Sequence, residues 1–295
     1  MKHAIKDWII ATRPWSFPAS AMPVLVTLGY LFYMDCQVNW IVGIWTILNV
    51  VLFHAAGNTW SDYNDYKKGV DREDAVGGLS IVSGQFKAAE IKTLALALFA
   101  VAVAGGFALL AVAGLPVLYF GLAGAVLTVF YPWLKYHALG DLDIFLTYSV
   151  LPMLGTSFVA TGQVQPDVLV LSVPVGLITV GILHSNNTRD IEQDKRAGIK
   201  TFAMCVGGKV STILYCLEMV VPFVWVMGCV IMGLLPGWCI LVIVAAKPAF
   251  DNAKQVLKYN REGMKALVGV DEKTAQLQLV FSVLLFISFI VAGVL

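Results

Sequence analysis

Nine apolar runs separated by polar loops constrain this chain more than any other feature. They fall at about residues 15–34, 40–57, 94–113, 115–134, 144–160, 168–185, 210–233, 236–250 and 275–295. A helix rises 1.5 Å per residue, so about 20 apolar residues cross the ~30 Å core of a bilayer, and several runs approach that length. The fifth, sixth and eighth are short, and the eighth ends in Lys247–Pro248. Only 13% of residues are charged, 59% are hydrophobic and the mean hydropathy is +0.79. Soluble domains carry about 25% charge, so this chain has too little polar surface to face water all round. The expected fold is all-α: one polytopic membrane helix bundle of about nine transmembrane helices over residues 1–295. The first run has prolines nearby and no small-residue cleavage site, which reads as a retained helix rather than a signal peptide.

Charge placement fixes an orientation. With nine passes and the N-terminus inside, the inner segments hold all 20 lysines and arginines, and the outer loops hold none. Such a bias is the signature of cytoplasmic loops. It predicts a multi-pass protein of the cell (inner) membrane, N-terminus cytoplasmic and C-terminus outside. A net charge of +1 offers no basic field for nucleic acid. The five cysteines show no CxxC pair and no metal-ligand spacing with the histidines, so they read as free thiols. No protein partner can be inferred.

Two long inner loops carry the chemistry. The first reads GNTWSDYNDYKKGVDRED, with Asn58, Asp62 and Asp65 at i, i+4 and i+7. If the second helix continues here, the three share one stripe. Asp71, Glu73 and Asp74 follow. The second loop reads HSNNTRDIEQDKRAGIKT, with Asn187, Asp190 and Asp194 at i, i+3 and i+7. Both loops follow helices running outside to inside, so both stripes reach one face. Clustered carboxylates repel unless a cation holds them, and oxygen-only donors suit Mg²⁺. Two facing stripes could hold two ions bridged by a diphosphate. The interleaved bases Lys67, Lys68, Arg72, Lys195, Arg196 and Lys200 could then contact phosphate oxygens. The alternative reading is of ordinary charged loops whose lysines follow the positive-inside rule.

These paired loops resemble the two aspartate-rich motifs of the UbiA-type membrane prenyltransferases. Within that superfamily, DYNDYKKGVD and NNTRDIEQDKRAGIKT are similar to the 1,4-dihydroxy-2-naphthoate polyprenyltransferase branch, as are RPWSFPASAMPVL from Arg13 and YPWLKYHALGDLDIF from Tyr131. The resemblance runs from about Arg13 to Thr201; the remainder matches only in hydropathy. Ser61 departs from it, standing where many members have Asn. The resemblance implies a helical bundle around a central cavity open to the bilayer, with Mg²⁺ as cofactor. It implies a polyprenyl diphosphate and an aromatic acceptor as substrates, and Asp62, Asp65, Asp71, Asp190 and Asp194 as metal ligands. It also implies diphosphate departure, attack by the acceptor ring and, for the naphthoate, loss of CO₂.

Other positions stay open. Tyr131 and Lys135 either steady an allylic cation and an anionic group or belong to an interfacial belt; for Trp133 the belt is favoured. Asp141 and Asp143 are candidates for placing the acceptor, with helix capping an equal reading for Asp143. Asn58, Asn187, Arg189 and Arg13 are candidate substrate contacts, and for Arg13 a membrane anchor competes. His54 and His184 are favoured as satisfied interhelical histidines. Glu218, an acid within the seventh run, is assigned no role. Within the superfamily the acceptor could instead be 4-hydroxybenzoate, homogentisate, a chlorophyllide or a glycerol-phosphate lipid. A secondary transporter is the reading from another class, but its acids usually sit at mid-depth.

Overall fold

The computed structural model describes residues 3–71 and 79–295, which form helices, turns and loops. Among them the one strand-like pairing is a bridge between His137 and Lys200. Arg72, with Glu73 and Asp74, lies outside the described residues.

A short helix α1 (Ile5–Ala11) precedes the first pass, a 3-10 turn (Pro14–Ser16) feeding α2 (Pro18–Tyr33). Then come α3 (Trp40–Lys68), α4 (Ala88–Ala113) and α5 (Pro116–Tyr136). The fifth pass is composite: α6 (Gly140–Phe145) continues through a π-turn (Leu146–Val150) into α7 (Leu151–Thr161). Helix α8 (Ser172–Arg189) is followed by the short α9 (Ile191–Arg196) and by α10 (Gly208–Ile231). The chain closes with α11 (Ala246–Leu257) and α12 (Val270–Val294). Local chemistry sets these limits. Asn39 caps α3 by accepting from the Val42 amide at 3.2 Å. Gly69 ends α3 at φ 73°, a left-handed conformation that suits glycine.

Among the described residues, eight helices are long and apolar enough to cross a membrane. The eighth run of the sequence is not one of them, a correction to the expected nine. It forms a 3-10 segment, Gly237–Ala245, that passes into α11, where Lys247, Asp251 and Lys254 break its apolar character. It still runs antiparallel to α12. Ser288 Oγ donates to the Trp238 carbonyl at 2.8 Å, and Lys273 Nζ donates to Gln255 Oε1 at 2.7 Å. Residues 273 and 288 lie about 22 Å apart along an α-helix, so the composite segment follows α12 through much of a bilayer's depth.

Large apolar side chains such as Val112, Tyr119 and Leu122 on α4 and α5 are exposed, as suits a chain solvated by lipid. The centre of the bundle is built from Val24, Leu28, Ile178, Met219, Phe281 and Phe289, all buried. Close helix approach depends on small residues. A Cβ at Gly176 would fall 2.7 Å from Phe145 and 2.9 Å from Ser149, so α8 can press on the π-turn only with glycine there.

Candidate active site

Helix α3 continues past its apolar stretch to Lys68, so Asn58, Asp62 and Asp65 do share one stripe. The second stripe is not one helix. α8 ends at Arg189, Asp190 sits in the break and Asp194 lies on α9. Both segments nevertheless face one cavity of about 1400 Å³, including its mouth. Asn58, Asp65, Asp71, Asn187, Asp190 and Asp194 line it, together with Arg13, Lys135 and Arg189.

The acids already hold partners. Asp62, buried, is paired with Arg13. Asp65 accepts from Lys135 Nζ at 3.1 Å, Tyr136 OH at 2.7 Å and Ser61 Oγ at 3.4 Å. The hydroxyl at Ser61 therefore steadies a carboxylate. Asp190 takes a two-pronged contact from Arg189, with both N···O distances 2.8 Å, and Arg189 also lies 3.8 Å from Asp271. Asn58 Nδ2 donates to Thr12 O at 2.9 Å and Ser16 Oγ at 3.1 Å, tying α3 to the start of the first pass. Arg13 itself stands at φ 56°, ψ 59°, in the left-handed region. Such a conformation costs a non-glycine residue roughly 1–2 kcal/mol, so the fold holds Arg13 there against a local preference.

The electrostatics of the cavity suit a bound cation. Burial, with Asp65 and Asp62 nearby, pushes the Asp71 carboxyl up to about 8. Burial also pushes Asp194 up to about 6, against the pull of Lys135. Burial alone would lower the Arg13 pKa, but Asp62, Asp71 and Asp65 outweigh it and hold it above its usual value. One oxygen of Asp71, one of Asp194 and the Asn186 amide oxygen are buried without a hydrogen-bond partner. Orphaned carboxylate oxygens among oxygen-only donors fit a hard cation such as Mg²⁺.

The remaining candidates separate. Tyr131 lines the cavity; Trp133 is exposed and stacks on His137 at 4.3 Å. Lys67, Lys68, Lys195, Arg196 and Lys200 are exposed and are not among the lining residues. The backbone of Lys200 donates to the Tyr136 carbonyl at 3.0 Å, which pins the second loop to the end of α5. Asp143 lines the cavity, whereas Asp141 accepts from Asn187 at 3.4 Å and faces His184. His54 bonds Ser16 and Ser20 at 3.2 and 3.1 Å.

Sequence reasoning passed over Thr147 and Tyr148, delivered by the π-turn, and Gln193 and Asp271. It also passed over an adjoining apolar chamber of about 1240 Å³. That chamber shares His54, Thr128, Thr147 and Tyr148 with the polar cavity and is walled by Phe53, Leu109, Phe120 and Leu151.

Comparison with known proteins places this geometry. A model of the UbiA prenyltransferase family matches residues 20–268. The Drosophila melanogaster UbiA prenyltransferase domain-containing protein 1 homolog is 33% identical over 95% of this chain and 78% of its own length. The Danio rerio protein of that name is matched over 66% of its length, just under two thirds. The Bacillus subtilis 1,4-dihydroxy-2-naphthoate octaprenyltransferase is 29% identical over 95% of this chain and 91% of its own. In fold, a UbiA homolog from Aeropyrum pernix aligns with TM-score 0.69 at 16% identity, covering 95% of this chain and 98% of that one. An Archaeoglobus fulgidus homolog bound to GPP and Mg²⁺ aligns with TM-score 0.65 at 13% identity, covering 98% and 100%.

Proposed function

This chain belongs to the UbiA prenyltransferase family, and on that premise we propose that it moves a polyprenyl group from a polyprenyl diphosphate to 1,4-dihydroxy-2-naphthoate. CO₂ and diphosphate leave, and the product is a demethylmenaquinol. The observation that carries the reading is the junction of two chambers: a polar one with orphaned carboxylate oxygens and three cations, opening into an apolar one. A diphosphate head and a long hydrocarbon tail need that pairing of environments.

Asp65, Asp71, Asp190 and Asp194, with Asp62 behind them, are the residues that would hold Mg²⁺. When bound, Mg²⁺ supplies Lewis-acid neutralisation of the leaving diphosphate. Arg13, Lys135 and Arg189 share their carboxylate partners with phosphate oxygens and add charge-assisted hydrogen bonds to the developing anion. The rings of Tyr148, at the join of the chambers, and of Tyr131, in the polar one, would face the allylic carbon as its C–O bond breaks. The apolar walls keep water from that carbon, where it would give an alcohol instead of product. The electron-rich ring forms the new C–C bond at the carbon bearing the carboxylate. The C–COO⁻ bond then breaks, its electrons restore the aromatic ring and CO₂ departs.

The acceptor rests on the NNTRD, KKGVD and LGDLD motifs and on the named activity of the Bacillus relative. The acids gather at one end of the bundle rather than at mid-depth, which disfavours a transporter. The test supplies purified protein with Mg²⁺, farnesyl diphosphate and either dihydroxynaphthoate or 4-hydroxybenzoate, with products identified by mass. A prenylated naphthalenediol lacking the carboxyl mass is expected. Prenylated 4-hydroxybenzoate with its carboxylate retained, and untouched naphthoate, would overturn the acceptor while keeping the family.

A further inference from the structure

Asp141 on α6, His184 on α8 and Glu218 on α10 meet outside the polar cavity, with one ligand atom from each within 4.8 Å of the others. We propose that they form a second metal site, of a different kind from the diphosphate site: a buried nitrogen–oxygen site for a first-row transition dication such as Zn²⁺. The inference stands apart from the proposed reaction and does not rest on it.

Hydrogen-bond direction carries the argument. Thr188 Oγ1 donates its only proton to the His184 carbonyl at 2.7 Å. The contact between Thr188 and Ser211 must then use the Ser211 proton. Ser211 Oγ is left only as an acceptor toward His184 Nε2, 2.7 Å away, so Nε2 carries a hydrogen. In the neutral ring Nδ1 is therefore a bare lone pair. It faces Glu218 Oε1 at 2.7 Å and Asp141 Oδ2 at 3.4 Å. Three lone-pair donors converge only around a proton or a cation. A proton on Nδ1 supplies one charge against two carboxylates, and neutrality beside the fully buried ring then requires a second proton on Asp141 or Glu218. A dication with neutral imidazole and two carboxylates is neutral with no added proton.

Independent details point the same way. Glu218 Oε2 is buried with no hydrogen-bond partner. The Nε2–H to Ser211 bond is the outer contact that fixes the tautomer of a metal-ligating histidine. Donors about 2.1 Å from one tetrahedral ion stand ~3.4 Å apart, which the Asp141–His184 separation already meets and the His184–Glu218 separation reaches by opening. Imidazole with carboxylates selects Zn²⁺ and its neighbours over Mg²⁺. Asp141 and Glu218 side chains keep 15% and 12% exposure, which leaves an ion a way in. Asp141 also holds Asn187 of the second motif, so the ion would brace α6, α8 and α10 beside the diphosphate site.

The test uses full-length protein in detergent, stripped with chelator and re-equilibrated with Zn²⁺ in excess Mg²⁺. The background is Asp62→Asn/Asp190→Asn, which weakens the diphosphate site. Bound zinc is measured by mass spectrometry. About one zinc per chain is expected, falling at least tenfold on adding Glu218→Gln or His184→Gln. Should those variants fail to fold, Co²⁺ loaded into the background protein must give visible d–d bands of a low-coordinate nitrogen–oxygen site. Zinc retained in the Glu218→Gln protein, zinc displaced by Mg²⁺ in the background protein, or only octahedral Co²⁺ bands would each overturn the site.

Discussion

Lys135 Nζ lies 3.1 Å from Asp65 Oδ2, a contact between the inner ends of α5 and α3. From sequence, Lys135 reads as a holder of an anionic group, either the diphosphate or the acceptor's carboxylate. In the folded chain it neutralises a candidate metal ligand, on the side of the cavity where the diphosphate would sit. Lys135→Ala should therefore raise the KM for the prenyl diphosphate at least as much as that for the naphthoate. The check is initial-rate kinetics with each substrate varied in turn. A rise confined to the naphthoate would return Lys135 to the acceptor.

Replacing Asp62, Asp65, Asp190 or Asp194 singly by Asn keeps shape and removes charge. Each change should lower kcat/KM by roughly 10²-fold or more, the scale of losing one electrostatic group in a site that stabilises developing charge. Elution volume and melting temperature should change little, because Arg13, Lys135 and Arg189 can still donate to an amide oxygen. Near-normal rates for both Asp62→Asn and Asp190→Asn would remove the two-stripe site.

Mg²⁺ binding should strengthen with pH. In the metal-free protein burial raises Asp194 to about 6 and Asp71 to about 8. A carboxyl raised on folding destabilises the fold once pH exceeds its unfolded pKa, and the cost grows until pH passes the folded value. A divalent ion needs both groups ionised. Its apparent Kd should therefore fall about tenfold per pH unit between about 6 and 8, then level off. Thermal shift against Mg²⁺ concentration at several pH values reads this directly, and an affinity flat across that interval would contradict it. Asp71→Asn should abolish the slope near 8.

How legible this site was from the sequence depended on what placed each residue. The α3 stripe could be read because a single helix carries Asn58, Asp62 and Asp65 at helical spacing. The second stripe could be read in part: its spacing is helical, but the helix breaks at Asp190, and tertiary packing brings Asp194 back to the cavity. The lysines misled for a physical reason. Lys67, Lys68 and Lys195 sit where a membrane protein needs surface charge, and they are exposed, whereas the cations at the cavity come from Arg13, Lys135 and Arg189. Tyr148 left no signal because a π-turn shifts it out of the 3.6-residue register. Asp271 left none because its neighbours in sequence are unrelated to its neighbour in space, Arg189. That His184 sits between helices was legible, but Glu218 and Asp141, the carboxylates it faces, were not.

If the composite segment Gly237–Leu257 crosses alongside the eight apolar helices, one-sided charge sets the topology with the C-terminus outside. Reporter fusions placed after Gly162, the left-handed cap of α7, and after Leu295 should both report the outside. A cytoplasmic signal at Leu295 with an outside signal at Gly162 would show that the composite segment Gly237–Leu257 does not cross.

Prenyl length should be tunable at α5. Gly121 and Gly124 line the apolar chamber, and a Cβ built at either meets nothing within 4 Å. Side chains there can grow into empty space without forcing the helix aside, and replacing glycine in a helix interior favours the helix by up to about 1 kcal/mol. Gly121→Phe should therefore leave the fold and the polar site intact while shortening the chamber. With geranyl diphosphate the variant should keep a rate within about threefold of the parent, because the short tail lies near Tyr148 and the head group is untouched. With a longer polyprenyl diphosphate, kcat/KM should fall tenfold or more, on the order of the 1–3 kcal/mol lost when one aromatic ring overfills a packed cavity. Rates for a series of prenyl diphosphates of increasing length decide it. An equal loss at every length would mean that the tail leaves the cavity by another path and that the chamber between α3, α4, α5 and α7 does not hold it.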